Sequence, residues 1–442
     1  MDKRFSRSLI LIRRSNLSKH MKFVSTNKRG LTALFLLNLY NDIDHTAPLI
    51  LELLENGWSV RTICLTRFDI FSDLRIRHFQ TFPNFRIHKL QLLPRSAASS
   101  NKTTAGLTTG RKIFRELLFN VFWAAVFLRV YKIDFLICPW GRPLAKGIQR
   151  RLVQAAKTLD IPTVCLPHGQ NIYINYDVNT DISARFKETG SWPDFSDRNQ
   201  FTKYAVQTIR HQEQLIAWGM NKTRVVVWGS LRFDPNWIKQ NSLFYRDASK
   251  RYETSSKYSK RIVFFLPHWR YNVMEENVLE LLIQILETFD DCFMVIKGHT
   301  RGDRISDRDY ARLRQFPNVD INCDSESTVL IEWSDIVINF GSSIAIEAIV
   351  KNKLTIYPSY LHTNKTIFDD SPVVIECLSR DEVLTALAEE HSGTGPKDSL
   401  RLSQFLSEQV YGGGASGSTV ATRYRQELVQ LTTFKSQSTR HF

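Results

Sequence analysis

The sequence predicts an α/β protein built of two Rossmann-like halves that face each other across a cleft. Three observations predict it. Continuous apolar runs of strand length alternate with helical stretches, in two separate series. A polar segment at 241–260 divides the two series. The length, 442 residues, suits two to three domains at roughly 150 residues each.

The first series opens with TALFLLNL (32–39), an unbroken apolar strand suited to a sheet covered on both faces. A helix follows, with Asp44 as its expected cap and Leu49, Leu53 and Leu54 on one face, ending at Asn56-Gly57. Strands are expected at 59–65 and 85–93, a Ser/Thr/Gly-rich surface loop at 95–110, and a helix at 112–131. Strand 134–139, helix 143–159 and strand 162–167 complete the series. The second series runs strand 261–267, helix 275–289, strand 292–298, helix 307–315, strand 335–340, helix 343–350 and strand 354–358. YGGGASGST (411–419) follows no buried strand and contains no P-loop lysine, so it reads as a flexible turn before a final helix. The organisation is then a basic arm at 1–30, a first half at 31–240, a linker at 241–260, a second half at 261–395 and a helical tail at 396–442.

Composition narrows the class. Apolar residues make up 43% and charged residues 23%, a globular balance that excludes a disordered or fibrous chain. The six cysteines are scattered without a CxxC, which favours a reducing, cytoplasmic setting over a disulfide scaffold or a structural zinc site. The net charge is +15, and residues 1–30 alone carry nine basic side chains against one acid. That arm reads either as solvated or as drawn to an anionic membrane leaflet, at the inner face of the plasma membrane. LLFNVFWAAVFL (117–128) has 12 residues where a span needs about 20, so it is expected to be a buried helix rather than a membrane contact.

Five polar clusters each fall just after an expected strand, where open parallel sheets bind their ligands. NDIDHTAP (41–48) offers Asp42, Asp44 and His45 as acceptor contacts or bases, with helix capping as the plainer reading. DID at 42–44 and DRD at 307–309 share the DxD spelling of metal sites, but both sit where a helix begins, and no metal is expected. LPHGQN (166–171) puts His168 at a strand end, where an imidazole can take a proton from an attacking hydroxyl; a structural donor is the alternative. FFLPHWRYN (264–272) offers Arg270 for a phosphate and His268 or Trp269 for a nucleotide ring. In VIKGHTRGD (295–303), Lys297, His299 and Arg301 alternate along an extended segment and make an anion cradle or a solvated basic loop. SDIVINFGSSIAIEA (334–348) runs a buried strand through Gly341, Ser342 and Ser343 into a helix, an arrangement that binds anions, with Glu347 one turn on for ribose hydroxyls. The last three clusters together describe one phosphate-binding surface on the second half.

LPHG (166–169), LPHWR (266–270), IKGHTR (296–301) and FGSSIAIEA (340–348), in this order, resemble GT-B glycosyltransferases, and among them the bacterial CDP-glycerol glycerophosphotransferase and capsule or surface-carbohydrate transferase group. The likeness covers about residues 31–390 but rests on short motifs. It implies a GT-B fold, with the first half for the acceptor and the second for a nucleotide-activated donor. It implies His168 as base or acceptor contact, Arg270, Lys297, His299 and Arg301 at donor phosphates, and Ser342, Ser343 and Glu347 at the nucleotide. Phe340-Gly341 stands where Asp-Tyr often precedes the serines in the glycerophosphotransferases, which favours a nucleotide sugar over a CDP-polyol. The implied activity is transfer of a sugar or polyol phosphate to a hydroxyl of a surface polysaccharide or lipid-linked acceptor, without metal or cofactor. Two rivals are weaker. PHWRYN (267–272) faintly resembles the H-R-x-E-N stretch of UDP-N-acetylglucosamine 2-epimerases, yet NLYNDIDH (38–45) replaces their G-T-R-P-E loop. A non-enzymatic basic scaffold for membrane or nucleic acid lacks any nucleic-acid-binding signature.

Overall fold

The computed structural model describes residues 30–438 apart from 66–68, 91–118, 140–146, 168, 175–179, 247–254, 256, 300–304, 323–324, 390–397 and 414–418. In the first half the elements are β1 (Thr32–Leu37), α1 (Asp42–Glu55), β2 (Ser59–Cys64), α2 (Leu74–Phe79), β3 (Phe85–Lys89), α3 (Val121–Val130), β4 (Phe135–Pro139), α4 (Ile148–Thr158), β5 (Thr163–Leu166), α5 (Thr180–Thr189), β6 (Lys203–Val206), α6 (Ile209–Ala217), β7 (Val225–Val227) and α7 (Pro235–Phe244). The second half has β8 (Lys260–Phe265), α8 (Glu275–Thr288), β9 (Cys292–Lys297), α9 (Asp307–Leu313), β10 (Val319–Asn322), α10 (Ser327–Trp333), β11 (Ile336–Asn339), α11 (Ile344–Val350), β12 (Leu354–Pro358), β13 (Ile375–Cys377) and α12 (Arg380–Ala388). Two further helices close the chain, α13 (Ser399–Gln409) and α14 (Val420–Ser438).

Among the described residues, every pairing between these strands is parallel. The first sheet has the order β3-β2-β1-β4-β5-β6-β7 and the second β10-β9-β8-β11-β12-β13. Both orders reverse direction once, between β1 and β4 and between β8 and β11. Loops leaving such neighbouring strands part to opposite faces and open a crevice at the carboxyl edge. Three strands that border these crevices, TALFLL, FLICP and IVIN, are buried along their whole length, as helices on both faces require.

α14 packs back on the first half. Tyr424 and Leu428 of α14 lie in the same apolar core as Ile43, Leu51 and Leu54 of α1 and Trp237 of α7. Arg425 Nε lies 2.8 Å from Glu52 Oε1, and the Tyr424 hydroxyl donates to the Gly229 carbonyl at 3.0 Å. Gly229 has φ +90°, and a Cβ there would stand 2.9 Å from the Tyr411 carbonyl carbon, so only glycine admits this contact.

Several expectations change in detail. α1 begins at Asp42, and the residue before it, Asn41, makes no side-chain capping bond. Asp44 does not cap the helix because Arg75 holds its carboxylate. Asp42 instead accepts the N–H groups of Asn38 and Leu39 at 2.6 and 2.9 Å, closing the turn out of β1. The start of the polar segment at 241–260 is helical, since α7 continues to Phe244. The apolar helix near 117–128 is not buried all round. α3 packs Ala124, Phe127 and Leu128 inward but leaves Phe122 77% and Val130 66% exposed. The surface loop expected at 95–110 lies outside the described residues, as does most of the turn at 411–419. Among the described residues no helix is long and apolar enough to cross a membrane. The five described cysteines are buried and form no disulfide.

Candidate active site

A cavity of about 710 Å³ lies between the carboxyl edges of the two sheets. Asp44, His45, Arg75, Gly169, Tyr173 and Arg232 line it from the first half. Lys297, His299, Glu326, Gly341, Ser342, Ser343 and Glu347 line it from the second.

The second-half wall follows from two strand ends. β9 ends at Lys297, which stays only 4% exposed, and Gly298 and His299 continue the wall. β11 ends at Asn339, and Gly341 turns the chain at φ +70° into Ser342 and Ser343. Neither serine N–H has a hydrogen-bond partner among the described residues, and both residues face the cavity. Glu347, one turn into α11, is 7% exposed. Among the described residues its Oε1 accepts no hydrogen bond, and it lies 3.5 Å from Lys351 Nζ. Lys351 is itself anchored to Ser242 Oγ at 2.7 Å and Glu332 at 3.0 Å.

The first-half wall is a buried charge cluster. Arg75 donates to Asp44 and, through Nη2, to Asp73 at 2.7 Å. Burial alone would raise the Asp44 carboxyl, but Arg75 and Arg232, with His45, reverse this and hold it at about 2. Asp42 is buried with weaker compensation from its two backbone donors, and burial pushes its carboxyl up to about 6. Tyr40 reaches across to donate to Glu326 Oε1 of the second half at 3.1 Å. Burial raises the Glu326 carboxyl. His45 is buried, and the Gly169 N–H points at its ring, 3.1 Å from Nε2 and 3.3 Å from Nδ1.

The structure therefore brings Asp44, His45, Lys297, His299, Gly341, Ser342, Ser343 and Glu347 to one cavity. Arg270 and Trp269 do not line it. The chain turns at 268–272, with the Tyr271 N–H bonded to the His268 carbonyl at 2.9 Å. That turn leaves Arg270 exposed, packs Trp269 on the second core and presents Tyr271 to the cavity. His268 stands between Tyr271 and His299, with ring centroids 5.0 and 5.3 Å away. His168 and Arg301 lie outside the described residues, as does most of the basic arm. Among the described residues no cluster of three His, Cys, Asp or Glu could hold a metal. Asp42 and Asp44 of the DID triplet serve different partners, and Asp309 of DRD accepts from Ser306 Oγ at 2.6 Å at the start of α9.

Sequence reasoning missed Tyr40, Arg75, Tyr173, Arg232 and Glu326. Arg75, Arg232 and Glu326 lie in segments of ordinary surface composition, and only the sheet order brings those segments together. A signal was present for the two tyrosines. Tyr40 directly precedes NDIDHTAP, and Tyr173 follows Gly169 of LPHG by four residues.

No family model matches the chain, and no curated protein matches it. Solved structures match over most of its length. A UDP-GlcNAc 2-epimerase from Neisseria meningitidis, bound to UDP-GlcNAc, superposes with a TM-score of 0.58 at 14% identity, covering 91% of this chain and 100% of that one. A UDP-GlcNAc 2-epimerase from Methanocaldococcus jannaschii gives 0.56 at 12%, covering 91% and 100%. A glycosyltransferase from Rickettsia africae ESF-5 gives 0.54 at 13%, covering 91% and 98%. At such identities the likeness is one of fold. The two parallel-sheet domains, of seven and six strands, are of the GT-B type.

Proposed function

We propose that the protein is a nucleotide-sugar enzyme, a transferase that moves a sugar, or a polyol phosphate, from a nucleotide-activated donor to a hydroxyl of a surface polysaccharide or lipid-linked acceptor. The observation that carries this reading is the convergence of Lys297, the Gly341–Ser343 turn and the buried Glu347 on one wall of a cavity shared by both halves. In this reading Lys297, His299 and the serines hold the donor phosphates, and Glu347 accepts the ribose hydroxyls.

In the sugar-transfer case the acceptor oxygen bonds to the anomeric carbon while that carbon's bond to the phosphate oxygen breaks. The electron pair leaves on the nucleotide phosphate, and the acceptor proton passes to a base. Charge growing on the leaving phosphate meets cations and N–H groups already in position, each such donor being worth about 3 kcal/mol. The reading therefore invokes no metal and no cofactor. His45 and His168 are the candidate bases. Asp44 is a poor one, because its ion pair with Arg75 keeps it ionised and weakly basic. A shared cavity also suits domain closure that excludes water from the donor. The basic arm would hold the enzyme near anionic lipid.

A second reading, interconversion of a UDP-sugar at one carbon, is favoured by the similar structures of UDP-GlcNAc 2-epimerases. One experiment separates the two. The protein is incubated with UDP-, GDP-, CDP- and CMP-linked donors and a panel of hydroxyl acceptors. Acceptor-dependent release of free nucleotide supports transfer. A new UDP-sugar without nucleotide release supports epimerisation and sinks the transferase.

A further inference from the structure

Just beyond β5 the chain leaves the first half. Ile172 is buried in the apolar core of the second half. The Ile174 N–H donates to the Lys365 carbonyl at 2.8 Å, the Ile367 N–H donates to the Ile172 carbonyl at 2.9 Å, and Tyr173 thus forms an antiparallel bridge with Thr366. Arg210 clamps the Tyr173 carbonyl from the other side at 2.6 Å. The Tyr173 side chain is fixed by this strap, and its hydroxyl donates to the Gly341 carbonyl at 2.5 Å. Burial pushes that hydroxyl far up, so it remains a donor at any working pH.

We infer that Tyr173 is a positioning residue for the Gly341–Ser342 peptide, holding its carbonyl so that the turn presents N–H groups, not a carbonyl dipole, to an anionic ligand. The peptide is planar and trans, so fixing the carbonyl fixes the Ser342 N–H in the opposite direction. Gly341, at φ +70°, has no Cβ to resist rotation of that peptide. A Cβ there would stand 3.2 Å from the Tyr173 oxygen, so the tyrosine and the glycine fit each other closely. A second feature marks this turn as a ligand site. The same cavity wall carries Glu347, more than nine-tenths buried, whose Oε1 accepts no hydrogen bond among the described residues and has Lys351 Nζ 3.5 Å away. The strap begins at Gly169, whose N–H rests on His45, so the five residues 169–173 connect the candidate base to the phosphate turn.

The inference rests on the nucleotide reading, and two measurements on the full-length protein keep them apart. Tyr173→Phe removes only the hydroxyl. Its affinities for UDP and for uridine are compared with wild type, together with amide hydrogen exchange across 336–346. UDP binding is expected to weaken about fivefold, the worth of one hydrogen bond, with uridine binding unchanged. Exchange at Ala345 and Ile346, whose N–H groups bond the Ser342 and Ser343 carbonyls at 3.5 and 3.1 Å, should speed up as the turn loosens, while β11 exchanges as before. Equal loss for UDP and uridine, or unchanged exchange at Ala345 and Ile346, overturns the role. If wild type binds neither UDP, CDP nor GDP, the nucleotide reading fails, and the exchange comparison alone decides whether Tyr173 holds the turn.

Discussion

The Gly169 N–H donates to the buried His45 ring, with Nε2 3.1 Å and Nδ1 3.3 Å away, and so joins the first turns of α1 to the segment leaving β5 at the wall of the cavity. The contact holds the imidazole against the turn that leaves β5. Gly169 needs its freedom at φ +64°, where another residue costs about 1–2 kcal/mol. Its carbonyl is held in turn by Gln207. Gly169→Ala should therefore lower the unfolding midpoint modestly and slow turnover. His45→Ala should slow turnover by about a hundredfold or more, within the usual range for an acid–base group, with a smaller effect on donor affinity. Steady-state kinetics and urea unfolding of both variants check this. Wild-type turnover in His45→Ala would remove it from the candidate bases.

That contact also shows what the sequence can and cannot reveal. The long apolar strands and the motifs at their ends are readable because buried parallel strands are continuous in composition and because ligand sites follow them. β6, β7, β10 and β13 carry no such signal, since KYAV, VVV, VDIN and IEC are too short to stand out from their surroundings. Arg75, in DLRIR, has nothing in its neighbours to distinguish it from a solvated arginine. Its role depends on α2 lying against the start of α1, a long-range contact with no local signature. Arg270 is the opposite case. Its chemistry suits a phosphate, but one tight turn rotates it out of the cavity and puts Tyr271 there instead.

Arg75 is 4% exposed by side chain and neutralises two carboxylates at once. Removing one partner of a buried pair costs about 3–5 kcal/mol, because the remaining charges lose their compensation. Arg75→Ala should fall in that range by urea unfolding at neutral pH. Asp44 gives the reaction to acid its sign. Its folded-state value, about 2, lies below the ordinary 3.8, so its contribution is present above about pH 4 and disappears as pH falls towards 2. Asp44→Asn should flatten the stability profile over that window. An unchanged profile would show that the pair adds nothing to folding.

Lys297 and Glu347 share a wall but are assigned different parts of the ligand. Lys297→Ala should weaken UDP by about a hundredfold, the cost of one preorganised donor to a phosphate, and leave uridine nearly unaffected. Glu347→Ala should weaken UDP and uridine alike, by about tenfold or more for a charged hydrogen-bond acceptor. Calorimetric titration of both ligands against both variants checks the assignment. Equal losses for UDP and uridine in Lys297→Ala would detach that residue from the phosphates.

The last helix sets the final expectation. Tyr424 is fully buried against Trp228, with ring centroids 4.9 Å apart, and its hydroxyl reaches the Gly229 carbonyl. The Ala421 N–H donates to Asp234 Oδ2 at 3.0 Å, and the other oxygen of that carboxylate caps α7. α14 thus braces the 229–235 turn that carries Arg232 to the cavity. Tyr424→Ala should cost about 3–5 kcal/mol, as for other large buried aromatics, and should reduce nucleotide affinity as well by loosening that turn. Arg425→Ala, which breaks only the partly exposed pair with Glu52, should cost at most about 1 kcal/mol. Urea unfolding of the two variants, followed by UDP titration under native conditions, tests this order. A Tyr424→Ala protein as stable as Arg425→Ala would show that the first half folds without its C-terminal brace.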